Sequence, residues 1–188
     1  MKRAIIIHGW GGSPEELLHK LLKEKFSKNG FNVIVPQMPN TNNPKIEEWI
    51  PYLNKIVGKP NENDYFIGHS IGCQAIMRYL ESLNEKNKIG KCIFIAGWFK
   101  LANMESKEEE KIAEPWIKNK INLTKIKNMI KEIIVYLSSN EYYGFIEENF
   151  KIFHDKLGAK VIIEKNMGHF TDEEGVEKIS KFVDKLSF

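Results

Sequence analysis

Five consecutive residues, Gly68-His69-Ser70-Ile71-Gly72, form the G-x-S-x-G pattern of an exposed serine nucleophile. A serine hydroxyl attacks a carbonyl carbon only when a base removes its proton and N–H donors hold the oxyanion that forms. The five-residue pattern arises by chance in many chains, so its weight lies in its surroundings. Asp64-Tyr65-Phe66-Ile67 reads as a strand leading in, and the residues from Gly72 onwards read as a helix leading out. A chain reversing that sharply needs small residues two before and two after the serine, and Gly68 and Gly72 supply them. The bland alternative is a glycine-rich strand-to-helix turn with a serine N-cap.

Five histidines could act as the base: His8, His19, His69, His154 and His169. His19 and His154 fall inside amphipathic helical patterns and are expected at the surface or its boundary. His8 and His69 belong to motif loops and are expected to shape them. His169, in Asn166-Met167-Gly168-His169-Phe170, follows the last strand, where a loop at the carboxyl edge of a sheet can reach Ser70. The third member of a triad should follow the fifth strand, and Glu141 stands there in Ser138-Ser139-Asn140-Glu141-Tyr142-Tyr143. Its alternative role is an acidic N-cap of the next helix, and Asp172 is the second choice of acid. The resulting order of serine, acid and histidine is that of α/β-hydrolases. No histidine pair has zinc-ligand spacing and no carboxylate cluster suits a hard ion, so neither a metal nor a cofactor is expected.

In this arrangement one oxyanion donor is the backbone N–H after the nucleophile, that of Ile71, and the other comes from the loop after an early strand. His8-Gly9-Trp10-Gly11-Gly12 is such a loop. A dinucleotide-binding reading of it fails because Pro14 stands where the last glycine belongs, and because Val35-Pro36-Gln37 lacks the ribose-binding acid. No Gly-Lys-Ser/Thr follows either, which excludes a P-loop.

The elements needed to position these residues alternate along the whole chain. Strand-length apolar runs at Ala4–His8, Phe31–Val35, Asp64–Gly68, Lys91–Ala96, 131–138 and Lys160–Glu164 are separated by helical periodicities. That order predicts an α/β class, a three-layer α/β/α sandwich with a mostly parallel six-stranded sheet, in one domain over residues 1–188 without a large lid. Ser13-Pro14-Glu15-Glu16 reads as the start of the first helix, which Asn29-Gly30 ends, and Asn43-Pro44 as the start of the second, with a break or kink at Pro51. Ile146, Phe150, Phe153 and Leu157 stripe one later helix, and Val176, Ile179, Val183 and Leu186 the last. Residues 98–130 form an excursion in which Pro115 is expected to interrupt any long helix. Its Trp98, Phe99 and Trp116 either line an apolar acyl pocket or complete the core.

The chain of 188 residues carries a net charge of +3, with lysines spread among glutamates, and shows no nucleic-acid footprint. Its apolar runs are too short for a signal sequence or a membrane span, so a cytoplasmic location and no membrane partner are expected. Cys73 and Cys92 are expected to be buried thiols.

Taken together, the sequence resembles the small serine hydrolase family of YdeN-like and retinoblastoma-binding protein nine-like proteins over nearly its whole length. The resemblance rests on His8-Gly9-Trp10 with Ser13-Pro14, on Gly68-His69-Ser70-Ile71-Gly72, on Ser139-Asn140-Glu141, and on Leu157-Gly158-Ala159-Lys160 leading to Gly168-His169. It implies that Trp10 N–H is the second oxyanion donor and that Ser70, His169 and Glu141 form the triad. The family carries aspartate-proline in the acid loop, where this chain has Glu141-Tyr142. The expected activity is hydrolysis of small carboxylic esters through an acyl-enzyme, with a small acyl compound as the sole indicated partner. The alternatives are an amidase or peptidase using the same residues, or a binding protein on a hydrolase scaffold whose protein partner the sequence does not indicate.

Overall fold

A computed structural model describes residues 1–187. Six strands form one sheet in the order β2-β1-β3-β4-β5-β6, and all five pairings are parallel. The strands are β1 (Arg3–Ile7), β2 (Asn32–Ile34), β3 (Asp64–His69), β4 (Ile89–Ile95), β5 (Ile130–Ser138) and β6 (Lys160–Glu164). Parallel neighbours need crossovers, and helices covering both faces leave the central strands apolar on both sides. In β1, Ile5 and Ile7 face one layer while Ala4 and Ile6 face the other; in β4, Cys92 and Phe94 oppose Ile93 and Ile95 in the same way.

One layer is α1 (Leu17–Lys28) with α7 (Val176–Lys185), which bury Leu18, Leu22 and Phe26 against Ile179, Phe182 and Val183. The other holds α2 (Ile46–Val57), α3 (Ile71–Ser82), α5 (Leu123–Met129) and α6 (Ile146–Lys151), the last widening into a π-type turn over Ile152–Lys156. The excursion after β4 carries α4 (Lys107–Lys118) as well as α5. Among the described residues no helix is long and apolar enough to cross a membrane.

Several local expectations are corrected. Helix α1 starts at Leu17 rather than Pro14, because the Ser13 hydroxyl caps a turn by accepting from Glu15 N at 3.2 Å. The N–H of Leu17 instead donates to Asp172 Oδ1 at 3.1 Å, a cap supplied from 155 residues away. Helix α2 starts at Ile46, two residues past Pro44, and runs through Pro51; α4 runs through Pro115. A proline inside a helix costs about 3 kcal/mol, which burial of the adjacent tryptophans offsets here. Trp49 and Trp116 pack edge to face at 5.8 Å, and their indole nitrogens donate to Pro39 O and Pro44 O. Val176, expected in the inward stripe of the last helix, faces solvent, and Phe182, outside that stripe, is buried in the core.

The amino ends of β1 and β3 are tied by one ion pair at the edge opposite Ser70. Asp64, fully buried, accepts from Arg3 Nε at 2.7 Å, Arg3 Nη2 at 2.5 Å and Asn61 N at 2.8 Å, while Arg3 Nη1 donates to Val57 O. Asp64→Ala should destabilise the fold by about 3 kcal/mol, the low end for breaking a buried pair because Arg3 keeps access to water. Urea unfolding would read this as a lower midpoint at unchanged slope.

Candidate active site

The turn from β3 into α3 is built by close approach. A Cβ on Gly72 would lie 2.3 Å from Ile7 O, and one on Gly68 would lie 2.7 Å from Cys73 N. Only glycine fits at either place, so α3 starts hard against the ends of β1 and β3. Ser70 itself takes φ 52° and ψ −123°, a region costly for any residue with a side chain, by about 1–3 kcal/mol. Its N–H is held by Ile95 O at 2.9 Å. As the first residue of α3, Ile71 has no intrahelical partner for its N–H.

His169 follows β6 in a loop where Gly168 and Phe170 both take positive φ; the Phe170 ring anchors it, buried against Phe182. Both carboxylate oxygens of Glu141 lie on His169 Nδ1, at 2.9 and 3.0 Å, and both side chains are largely shielded from water. Asp172, the other candidate acid, is engaged at the start of α1. Three residues to which the sequence reading gave no role of their own tie the Glu141 loop to the His169 loop. Ser138 Oγ accepts from Met167 N at 3.0 Å, Ser139 Oγ from Asn166 N at 3.0 Å, and Asn140 Oδ1 from Gly168 N at 2.8 Å. A run of small polar residues ending a buried strand was the available signal.

The loop after β1 lies beside this pair of loops. His8 donates from Nδ1 to Gly9 O and accepts at Nε2 from Met38 N, which fixes the loop that presents Gly9 and Trp10. Position 9 needs a small residue, since a Cβ there would lie 3.2 Å from His69 Nδ1 and 3.4 Å from Ser70 Cβ. Trp10, Ile71, Ser70 and His169 all line one cleft of about 260 Å³. Trp98, Leu101 and Met104 of the excursion form another wall, and the Trp98 indole N–H donates weakly to Ser70 Oγ at 3.4 Å.

Of the three aromatic residues considered for a pocket, only Trp98 lines this cleft. Phe99 turns to Phe153, with ring centroids 4.8 Å apart, because Asn149 Oδ1 takes both Phe99 N and Lys100 N. Trp116 is buried on Trp49, and its carbonyl accepts from Arg78. His154 is exposed beside Asp155. His19 is not at the surface: it is wholly buried under the loop after β1, its ring 5.8 Å from that of His69 and its Nδ1 3.0 Å from Glu16. Helix α1 is rotated so that His19 shares the inward stripe of Leu22 and Phe26.

A strand-turn-helix that presents a serine to a cleft above a parallel sheet, with a histidine loop after the last strand, defines a hydrolase of the α/β type. The family model for serine hydrolases matches residues 4–187, and the chain belongs to that family. YdeN of Bacillus subtilis (strain 168) is 26% identical over 190 residues, spanning 99% of this chain and 95% of that protein. The serine hydrolase RBBP9 of Rattus norvegicus is 24% identical over 176 residues, spanning 93% and 85%. Among solved structures, the ydeN gene product of B. subtilis superposes with a TM-score of 0.84 at 24% identity, covering 98% of this chain and 97% of that one. Est1E of Butyrivibrio proteoclasticus with bound ferulic acid superposes at 0.72 and 14% identity, covering 98% and 89%.

Burial lowers the pKa of His69 well below 6.5, helped by the neighbouring His169 and His19 rings, and burial also lowers that of His8. A histidine that stays neutral when folded but protonates when unfolded favours the unfolded state in acid. The contribution to stability is therefore present above about pH 6.5 and lost as pH falls below it, by up to about 1.4 kcal/mol per pH unit for each group. Urea midpoints should drop between pH 7.5 and pH 5.5, and His69→Gln should shallow that drop.

Proposed function

We propose that the chain hydrolyses small carboxylic esters through an acyl-enzyme on Ser70. His169 Nε2 takes the Ser70 proton as Oγ attacks the ester carbonyl, and Glu141 stabilises the imidazolium while holding the tautomer that carries hydrogen on Nδ1. The backbone N–H groups of Trp10 and Ile71 receive the oxyanion of the tetrahedral intermediate. Collapse breaks the bond to the leaving alkoxide, which takes the proton from His169. Water, deprotonated by the same imidazole, then attacks the acyl-serine and releases the acid.

The observation that carries this reading is the two-oxygen contact of Glu141 with His169 Nδ1, in a cleft that Ser70 and His169 share. A carboxylate in that position can orient the ring and charge-stabilise its protonated form, and the ring itself lines the cleft beside Ser70. The resting contact from Trp98 engages Ser70 Oγ as an acceptor, so its hydroxyl proton stays available to a base. The volume of about 260 Å³ lies just below the usual range for drug-sized ligands, which favours short acyl chains.

A fluorophosphonate probe should label the wild-type protein and leave Ser70→Ala unlabelled; labelling of both would remove Ser70 from the mechanism. Glu141→Gln should keep the fold but lower kcat on p-nitrophenyl acetate by about 10⁴-fold, because the amide favours the wrong imidazole tautomer. Turnover should fall from acetyl to octanoyl esters, and the reverse order would reject the short-chain reading.

A further inference from the structure

Acyl transfer leaves unused a group of side chains directly behind the nucleophile turn. His19 places Nδ1 3.1 Å from Ser13 O, and His69 places Nε2 2.8 Å from His169 O. A carbonyl oxygen only accepts, so these nitrogens carry the hydrogens. The opposite nitrogens, His19 Nε2 and His69 Nδ1, are then bare lone pairs, both buried and both without a partner. Two such orphans side by side call for an occupant, since buried polar atoms are otherwise almost always satisfied. Glu16 stands beside them, and one ligand atom from each of Glu16, His19 and His69 lies within 4.8 Å of the others. Gly9 and Gly12 keep the space clear, for a Cβ on Gly9 would meet His69 Nδ1 at 3.2 Å and one on Gly12 would meet Glu16 Oε1 at 2.9 Å.

We propose that Glu16, His19 and His69 form a binding site for a divalent transition-metal ion of the zinc type, held by the Glu16 carboxylate, His19 Nε2 and His69 Nδ1. Two imidazoles and a carboxylate are a zinc donor set that leaves a fourth position open. Glu16 and His69 both line the cleft beside Ser70, which gives an ion a route in and the open position a place to face. Each ring donates its other N–H to a backbone carbonyl, the outer contact that fixes ligand tautomers in metal sites. Imidazole nitrogen selects zinc, cobalt, nickel or copper over magnesium and calcium. Ligands about 2.1 Å from a tetrahedral zinc sit about 3.4 Å apart, so closing the shell requires the Glu16 carboxylate, now 3.0 Å from His19 Nδ1, to turn to the Nε2 side of that ring. The spacing of these residues along the chain gives no sign of the site, because His69 comes from β3, 50 residues beyond the α1 residue His19.

Equilibrium dialysis of the full chain, freed of chelators and of any histidine tag, against Zn²⁺ or Co²⁺ tests the site, with metal content read by mass spectrometry. The expected result is one ion per chain and, for Co²⁺, the strong visible bands of a low-coordinate nitrogen-oxygen site. His19→Leu, an apolar replacement suited to a buried helix position, should weaken uptake by at least about 100-fold, more than the loss of an outer contact. Glu16→Gln, at a less buried position, tests the same point should His19→Leu fail to fold, and His154→Ala should bind as wild type. No uptake from a tenfold excess of metal would overturn the proposal and leave a bridging water as the partner of both lone pairs. Undiminished uptake by folded Glu16→Gln and His19→Leu would overturn it equally.

Discussion

The carbonyl of Ile7 at the end of β1 and the backbone of Gly72 at the start of α3 stand so close that no Cβ could come between them. From that contact the geometry of the cleft follows. It brings the loop carrying Gly9 and Trp10 beside the start of α3, so that residues from distant parts of the chain line one cleft. It also forces the reversal at Ser70 into a positive φ, at a cost set against the burial of nearly all of α3. The sheet can hold this strain because β3 lies between β1 and β4 and is paired along its length on both sides.

The second constraint is the register between the loops after β5 and β6. Ser138 pairs with Glu164 at the last rung of the sheet, and the polar groups of Ser138, Ser139 and Asn140 then take the N–H groups of three successive residues, 166–168. These bonds continue the sheet with side chains where the strands have ended, and they bring Glu141 opposite His169. The length of the glutamate side chain is taken up locally. Glu141 Oε1 also accepts from Tyr143 N, so the side chain curls over its own loop while both oxygens remain on the ring.

The order of elements and the residues of the cleft were legible because they depend on local signals: apolar runs, glycines at a fixed spacing, and the position of a histidine after the last strand. What was not legible depended on rotation and on distant partners. His19 lies three and seven residues before Leu22 and Phe26, the spacing of one helical face, so the period already placed it inward; its polar character argued for the surface and lost to packing. Asp172 looked like a spare acid because nothing local reveals that it caps a helix 155 residues earlier. Pro51 and Pro115 read as helix breaks because the rule weighs one lost bond and cannot weigh the tryptophan packing beside each. Phe99 and Trp116 were drawn towards the cleft by residue type alone, whereas Asn149 and Arg78 turn them to the far layer.

His69 joins these themes, since its protonation state bears on both sides of the nucleophile. Its Nε2–H anchors the carbonyl of His169, and its ring lies 5.2 Å from the imidazole that the proposed mechanism charges. A proton on His69 would set a cation beside that imidazole and oppose the imidazolium formed as Ser70 attacks. Burial, the largest of the influences on His69, prevents this by making the charged ring costly, and the same neutrality preserves the lone pair on Nδ1. A solvent-exposed histidine here could anchor the loop equally well but would be partly charged near neutral pH. On the proposed mechanism, the depth of His69 therefore serves the chemistry of the cleft as well as its packing, and the loop over Gly9 that buries it serves both.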